Sequence, residues 1–457
     1  MAKVYVDLNQ IDSVQKHLNI SLKLADEMIQ SNFSTMTESE KENYFAFSGN
    51  DLFDAYRFAN RYYNEQPDFS EKAYNVALMT KGMLLTSSGA IRNGILSSND
   101  SVLIEDYYHW IGLQNGINEL MAKGQDATHL QNQANEIEKT LVKRSQEFSD
   151  LSHLRQLDWK DIKERLNEDE AVVEFIRFST ERSDPKILYA ALIIRPEFDH
   201  PMFVNLFDET ELIELIGAFP GNNRDYINQL YGSRKKPRPA LYNLIWQPLE
   251  KALSQPKKVY VSSVGLLHKI SFSALSNEQA IPLSAQYDLE MLSSASKLVL
   301  RSKDRQNPDH APISLFGGIE YSTDATTTEV WSYLEGSLVE TWEIEKIMTK
   351  DGRDVQHYTG VSATEDAFKE KATGSGIVHI ATHGFFFADQ EDLVERSIDV
   401  EESSQELKFR GISGSIGSKG FLRSENPLMR SGLVFAGAND IWNVFAPTSG
   451  DSSEDGI

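Results

Sequence analysis

The run Ile377-Val378-His379-Ile380-Ala381-Thr382-His383-Gly384-Phe385-Phe386-Phe387 concentrates the chemistry that this sequence can offer. Its first five residues are apolar but for His379, which predicts a buried strand that carries His383 to its carboxyl end. An imidazole placed there can take up and return a proton near neutral pH. Gly384 lets the chain turn sharply behind it and bring a backbone N–H close to a reacting carbonyl, as an oxyanion donor must. The alternative is a histidine satisfied by hydrogen bonds at a strand end, and for an isolated His-Gly it stays open. His379 is expected to pack within the core of the sheet. The two histidines stand four apart, a metal-ligand spacing only on a helix, and no third ligand is near. No metal is expected.

Other chemistries lack their residues. There is no G-x-x-x-x-G-K-[ST] or G-x-G-x-x-G loop to cradle phosphate. There is no H-E-x-x-H and no G-x-S-x-G elbow. The glycine-rich stretch from Gly411 to Gly420 has no clear helix behind it and reads as a loop. No cofactor is expected. The 457 residues carry 45 Lys plus Arg against 68 Asp plus Glu, a formal charge of −23. Such a field repels phosphate backbones and anionic lipid and attracts cations, so neither nucleic acid nor a membrane surface is an expected partner. Eight of the acids lie between Asp389 and Glu406, a solvated loop or a flap beside the site that draws in basic peptide. The cluster Arg234-Lys235-Lys236-Pro237-Arg238 reads as a surface loop or as their intramolecular partner. Cysteine is absent, which excludes disulfides, cysteine-bound zinc and a cysteine nucleophile within these residues. With no apolar run of about 18 residues and no signal-like start, the chain is expected to be soluble and cytoplasmic.

The elements that must position His383 follow from periodicity. Residues 1–154 read as helices: Ile11, Val14, Leu18 and Leu22 share one helical face, and Thr37-x-x-Glu40 is a capping box. An aromatic-rich stripe runs from Leu52 to Phe58, and further helical patterns cover 71–96, 101–123 and 127–148. Their aromatics are expected to form the core of a helical bundle of their own. Beyond residue 170 the period shortens. Ala171–Phe178 and Leu188–Ile194 predict a hairpin and Met202–Leu206 a third strand. Short strands then alternate with helices at Val259–Ser262, Tyr287–Leu292, Ile313–Gly317, Asp354–Tyr358, Ile377–Ala381 and Gly432–Ala436. Ser337-x-x-Glu340 and Ser362-x-x-Glu365 predict capping boxes for two of those helices. The alternation predicts a mainly parallel sheet covered on both faces, with its ligand crevice beyond the strands' carboxyl ends.

Four separated motifs, in order, resemble one family. Val259-Tyr-Val-Ser-Ser-Val-Gly-Leu-Leu-His-Lys-Ile-Ser-Phe-Ser-Ala-Leu275 is similar to the "G-x-L-H-x-x-P-F-x-A-L" run of CHAT domains. Trp331–Glu340 resembles their "L-P-G-x-x-x-E" helix start. His379-Ile-Ala-Thr-His-Gly384 matches their catalytic-histidine motif, and Asn426–Asn439 matches the strand after it. Ser271 and Glu335 stand where the family usually has proline. The resemblance, over 155–457, implies a caspase-like three-layer α/β domain with a mainly parallel sheet, preceded by an all-α domain over 1–154 that can include repeat-like helical hairpins. It also implies cysteine peptidase activity in a bacterial regulatory or defence pathway. His383 would then be the general base, Gly384 would give one oxyanion N–H, and a protein or peptide would be the substrate. Arg430, within a matched motif, reads either as a substrate-binding residue or as half of a structural ion pair.

The family's cysteine follows a further strand downstream of Asn439, in an "L-S-A-C-x-T-G" run. Asp455-Gly-Ile457 resembles the start of the "D-G-x-L-T-A" segment ahead of it, so the sequence is expected to stop short of the nucleophile and to be inactive alone. Three explanations stand: a chain cut short, a large piece released by processing, or a pseudopeptidase. The competing class is a non-catalytic scaffold whose helical part binds a regulatory protein.

Overall fold

The β-branched and aromatic runs after residue 169 fold as strands. β1 (Glu170–Ser179) and β2 (Ile187–Ile194) form the expected antiparallel hairpin, and β3 (Met202–Asp208) extends it. A small hairpin of β4 (Gly232–Ser233) and β5 (Lys236–Pro237) follows, with Lys236 and Arg238 exposed, as expected of a surface element. β6 (Lys258–Ser262) pairs parallel with β1, and β7 (Asp288–Leu292) pairs parallel with β6. The resulting five-stranded sheet is mixed, in the order β3-β2-β1-β6-β7. β8 (Ile313–Ile319), β9 (Val355–Gly360) and β10 (Ile377–Ile380) form a parallel sheet in the order β10-β8-β9. β11 (Gly384–Phe386) and β12 (Ser431–Leu433) make an antiparallel pair.

The computed structural model describes residues 10–32, 36–37, 40–41, 52–81, 92, 94–122, 126–145, 157–180, 186–217, 223–233, 236–300, 311–323, 330–386 and 431–442. Arg430, the acidic run 389–406 and the glycine-rich stretch 411–420 lie outside them. The chain divides into two compact units, residues 1–103 with 139–301 and residues 104–138 with 302–457. Among the described residues no helix is long and apolar enough to cross a membrane.

In the first unit, helices α1 (Ile11–Asn32), α2 (Asp54–Tyr62) and α3 (Asp68–Thr80) do not close a core of their own. Val14, Leu18, Tyr56, Phe58 and Phe69 share one apolar cluster with Val172, Ile176 and Phe178 of β1 and with Ala190 and Leu192 of β2. Tyr56 packs on Phe178 at 6.0 Å and Tyr63 on Phe203 at 5.3 Å between ring centroids. The expected self-contained aromatic bundle is thus a layer of helices on a sheet. The other face, with Ala171, Val173 and Phe175, is covered by α6 (Glu209–Ile216) and by further helices over 223–253. Both faces of β1 are therefore buried, and the unit is helix, sheet and helix in three layers.

One polar group interrupts the helical side of that sheet. Glu174 is fully buried, and the ammonium of Lys81, just after α3, reaches it at 2.5 Å. Lys81 Nζ also donates to the carbonyls of Phe175 (2.9 Å) and Ser262 (2.8 Å), while Ala295 N–H donates to the second Glu174 oxygen at 3.0 Å. Burial lowers the Lys81 pKa from its ordinary value, against the upward pull of Glu174. The pair ties a helix end to the middle of β1 and to the carboxyl end of β6.

In the second unit, α4 (Ser101–Ala122) and α5 (Thr128–Ser145) pair Leu113 and Ile117 with Ala127 and Ala134. Both helices lie where the sequence periodicity puts them, although each runs across the division between the units. The Thr37–Glu40 capping box also forms: Thr37 N–H donates to Glu40 Oε2 and Glu40 N–H to Thr37 Oγ1. The other two boxes do not form. α7 (Glu335–Lys350) begins two residues before Ser337, whose hydroxyl donates to the Leu334 carbonyl and accepts from Gly318 N–H. α8 (Glu365–Ala372) is capped by Thr364, not Ser362. A hydroxyl three residues ahead of a carboxylate marks a box only where the backbone leaves the helix at the hydroxyl. The sequence does not fix that point.

Lys81→Met leaves the Glu174 carboxylate buried without its cation and is expected to destabilise the first unit by about 3–5 kcal/mol in urea denaturation. Lys81→Met with Glu174→Gln is expected to recover most of that loss. A double variant no more stable than the single one contradicts this account of the pair.

Candidate functional site

The second unit's sheet is built around β8, which is buried along its whole length. α7 lies on one face. Its approach is close because Gly317 has no side chain: a Cβ there would stand 2.6 Å from Thr341 Cγ2 and 2.8 Å from the Ser337 carbonyl. On this face the parallel register sets His379, Leu315 and His357 side by side. His357 bonds Glu345 and Thr341 of α7 at 2.8 Å each, and His379 Nε2 bonds Glu340 at 3.1 Å. The opposite face carries Phe316, Tyr358, Val378 and Ile380, packed with Phe368 of α8 and with Phe435.

His379 is therefore not packed within the core. Its side chain is 32% exposed and its partner is a half-exposed carboxylate. The reason is that β10 is an edge strand among the described residues. It is half-exposed rather than buried, with a neighbour on the β8 side only. Gly432–Ala436 does not extend this parallel sheet either. Only Ser431–Leu433 is strand, and it runs antiparallel to Gly384–Phe386.

His383 stands just past the carboxyl end of β10, half-buried. Its Nε2 lies 2.7 Å from the Ser332 carbonyl oxygen. A carbonyl only accepts, so Nε2 carries the proton and donates it, and in the neutral ring the basic lone pair is on Nδ1. The rings of Tyr321 and Trp331 flank the imidazole at 5.1 and 5.4 Å between centroids. The Tyr321 hydroxyl lies 2.9 Å from Thr382 Oγ1, and Thr382 Oγ1 donates to the Val434 carbonyl. The same phenol oxygen accepts from the His383 backbone N–H. Burial raises the Tyr321 pKa above its ordinary value, so at neutral pH it stays a donor in this relay.

Gly384 does not make the sharp turn expected of it. It opens β11, and its φ is not in the left-handed region. Val434 N–H donates to the His383 carbonyl at 3.0 Å, so that carbonyl points toward the partner strand. Across the trans peptide the Gly384 N–H points the opposite way from the His383 carbonyl, away from β12. A Cβ on Gly384 would meet the Gly432 carbonyl at 3.3 Å, a tight contact.

Of the residues marked by the sequence, the site keeps His383 and the exposed N–H of Gly384. His379 lies on the α7 face with its own partner. Sequence reasoning missed Ser332, Trp331 and Tyr321, two of which lie inside or beside a matched motif without a signature for this role. Ser271 has a reason for not being proline: its N–H donates to the Tyr231 hydroxyl at 2.9 Å, a bond proline lacks. Glu335 is the first residue of α7, a position that proline and good helix formers both suit. Among the described residues, no three His, Asp or Glu side chains converge to hold a metal ion.

Residues 235–452 match the family model of the CHAT domain. That match begins after β1–β3 and takes in everything around His383 described above. No curated protein matches the chain.

Tyr321→Phe removes an acceptor from the His383 N–H and a donor from Thr382. It is expected to destabilise the second unit by about 1–3 kcal/mol. Because burial raises the tyrosine's pKa, this advantage is complete below the unfolded value of about 10 and shrinks as pH climbs above it. Thermal melts of the two proteins from pH 7 to 11 check both parts. Gly384→Ala is expected to cost only about 1 kcal/mol, since the backbone there is ordinary and one contact is tight; loss of the fold would contradict that reading.

Proposed function

Because the chain carries a CHAT domain over those residues, we propose that it supplies the histidine half of a caspase-like cysteine peptidase site. The observation that carries this reading is the placement of His383. It sits just past the carboxyl end of β10, a strand with one neighbour among the described residues, and its Nε2–H is committed to a backbone carbonyl, so the proton that the neutral ring takes up goes to Nδ1. A further strand pairing with the outer edge of β10 would end beside that nitrogen, where a strand-end ligand crevice belongs.

The sulfur comes from polypeptide outside these 457 residues, which contain no cysteine. The thiol gives its proton to His383, and the thiolate attacks the scissile carbonyl carbon. The developing oxyanion is met by the Gly384 N–H and by the N–H of the cysteine itself. The imidazolium then protonates the departing amine as the C–N bond breaks, leaving a thioester. Water, deprotonated by His383, hydrolyses the thioester and restores the thiol. Tyr321 and Trp331 hold the ring in place and keep one side of it dry. A formal charge of −23 and the acids between Asp389 and Glu406 favour a basic peptide as substrate.

The second reading is a non-catalytic scaffold, favoured by the absence of any cysteine from the sequence. An electrophilic peptide probe separates the two. The chain joined to the segment that bears the thiol is expected to be labelled, and His383→Ala is expected to slow labelling at least about 100-fold, the scale of a lost general base. Labelling that survives both His383→Ala and replacement of the cysteine contradicts the dyad.

A further inference from the structure

Asn439 carries no mark of chemistry in the sequence, yet its side chain has no hydrogen-bonding group to spare. It is 1% exposed and belongs to α9 (Ala438–Trp442). Its Oδ1 accepts from the N–H groups of Val330 (3.0 Å) and Trp331 (2.8 Å). Its Nδ2 donates to Ser322 Oγ and to the Trp331 carbonyl, each at 2.9 Å. Its backbone N–H donates to the Tyr321 carbonyl at 2.8 Å. The network also fixes the amide's orientation, because only the oxygen can serve two N–H donors.

Tyr321, Trp331 and Ser332, which stand against the His383 ring, are thus gripped by Asn439 or adjoin a residue that is. Tyr321 and Trp331 are the two flanking rings, and Ser332 is the next residue along. The neighbours of Asn439 reinforce the grip. Gly437 N–H donates to the Glu320 carbonyl at 3.2 Å, and Asp440 Oδ2 accepts from Thr323 N–H at 2.8 Å. No hydrogen bond in this set reaches the imidazole itself.

We propose that Asn439 is the positioning residue of His383: by holding the 330–332 segment against Tyr321 and Ser322, it keeps the Ser332 carbonyl aimed at Nε2 and so fixes the ring's tautomer. That this positions a catalytic base rests on the peptidase reading; that it positions the ring does not. Without the amide, the buried N–H groups of Val330 and Trp331 lose their acceptor and the segment moves to find another. The Ser332 carbonyl moves with it, and the proton of the neutral imidazole is shared between its two nitrogens.

Nitrogen-detected NMR of the histidine rings in the full 457-residue chain tests this without any turnover. In the unmodified protein, neutral His383 is expected as the Nε2–H tautomer. Asn439→Ala is expected to move its tautomer ratio by about fivefold or more, the worth of one hydrogen bond. His357 and His379, whose partners lie on α7, are expected to keep their signals. An unchanged His383 ratio, or equal movement of all three rings, overturns the proposal. If the alanine variant does not fold, Asn439→Leu decides on the same criteria, since it is close to asparagine in size and, like alanine, offers Val330 and Trp331 no acceptor. In the unmodified chain, the Trp331 amide and the His383 Nε2 proton are expected to exchange with solvent in one opening event. Rates of opening that differ by about tenfold or more overturn the link. A chain that passes these tests and yet is never labelled by the peptide probe loses the peptidase reading and keeps this one.

Discussion

An imidazole serves as a base through whichever nitrogen is not already donating, so the acceptor on its far side decides where its chemistry points. Here that acceptor is the Ser332 carbonyl, 2.7 Å from His383 Nε2. A carboxylate in that place would raise the ring's basicity and bring a charge of its own; a carbonyl orients the ring and does little else. A thiol nucleophile asks for no more, because cysteine reaches its thiolate more readily than serine reaches an alkoxide. Tyr321, Trp331 and Thr382, and the antiparallel pair after the histidine, lie around this one bond.

Among the described residues the sheet beneath the site is asymmetric. β8 is fully buried and close-packed, and it anchors β10 along one edge, up to Ala381, whose N–H donates to the Phe316 carbonyl at 2.8 Å. α7 is pinned to that sheet through Gly317, Ser337 and the two histidine–glutamate contacts, and it begins three residues after Ser332. The helix that supports the sheet thus also borders the carboxyl end of the segment that orients the imidazole. Packing and chemistry share the same residues, so substitutions at the N-terminal turn of α7 act on both.

Much of this could be read in advance. Apolar β-favouring runs found the strands of both sheets, because a strand buried on both faces has to be continuously apolar. Helical spacing located α4 and α5, and a histidine after Ile377–Ala381 was placed at a strand end. Other features were beyond a one-dimensional pattern. Periodicity tells which face of α2 is apolar but not what covers it, and β1 and β2 proved to be the cover. The Ser332 carbonyl is backbone and carries no residue signature. Asn439 lies 108 residues from the tryptophan that it holds, and only the fold brings them together. His379 looked like a core residue because its neighbours are apolar. It is instead one of a pair of sheet histidines facing acidic residues of α7, on a strand with one neighbour among the described residues.

The central claim is that the outer edge of β10 receives the strand that brings a thiol to His383. A crystal structure of these residues together with the thiol-bearing segment, trapped by a peptide electrophile, tests it most directly. The account predicts the new strand paired in parallel with Ile377–Ile380 and the sulfur within about 4 Å of His383 Nδ1, hydrogen-bond reach for a thiol. A sulfur beyond reach of that ring, or a different element paired along β10, would contradict it.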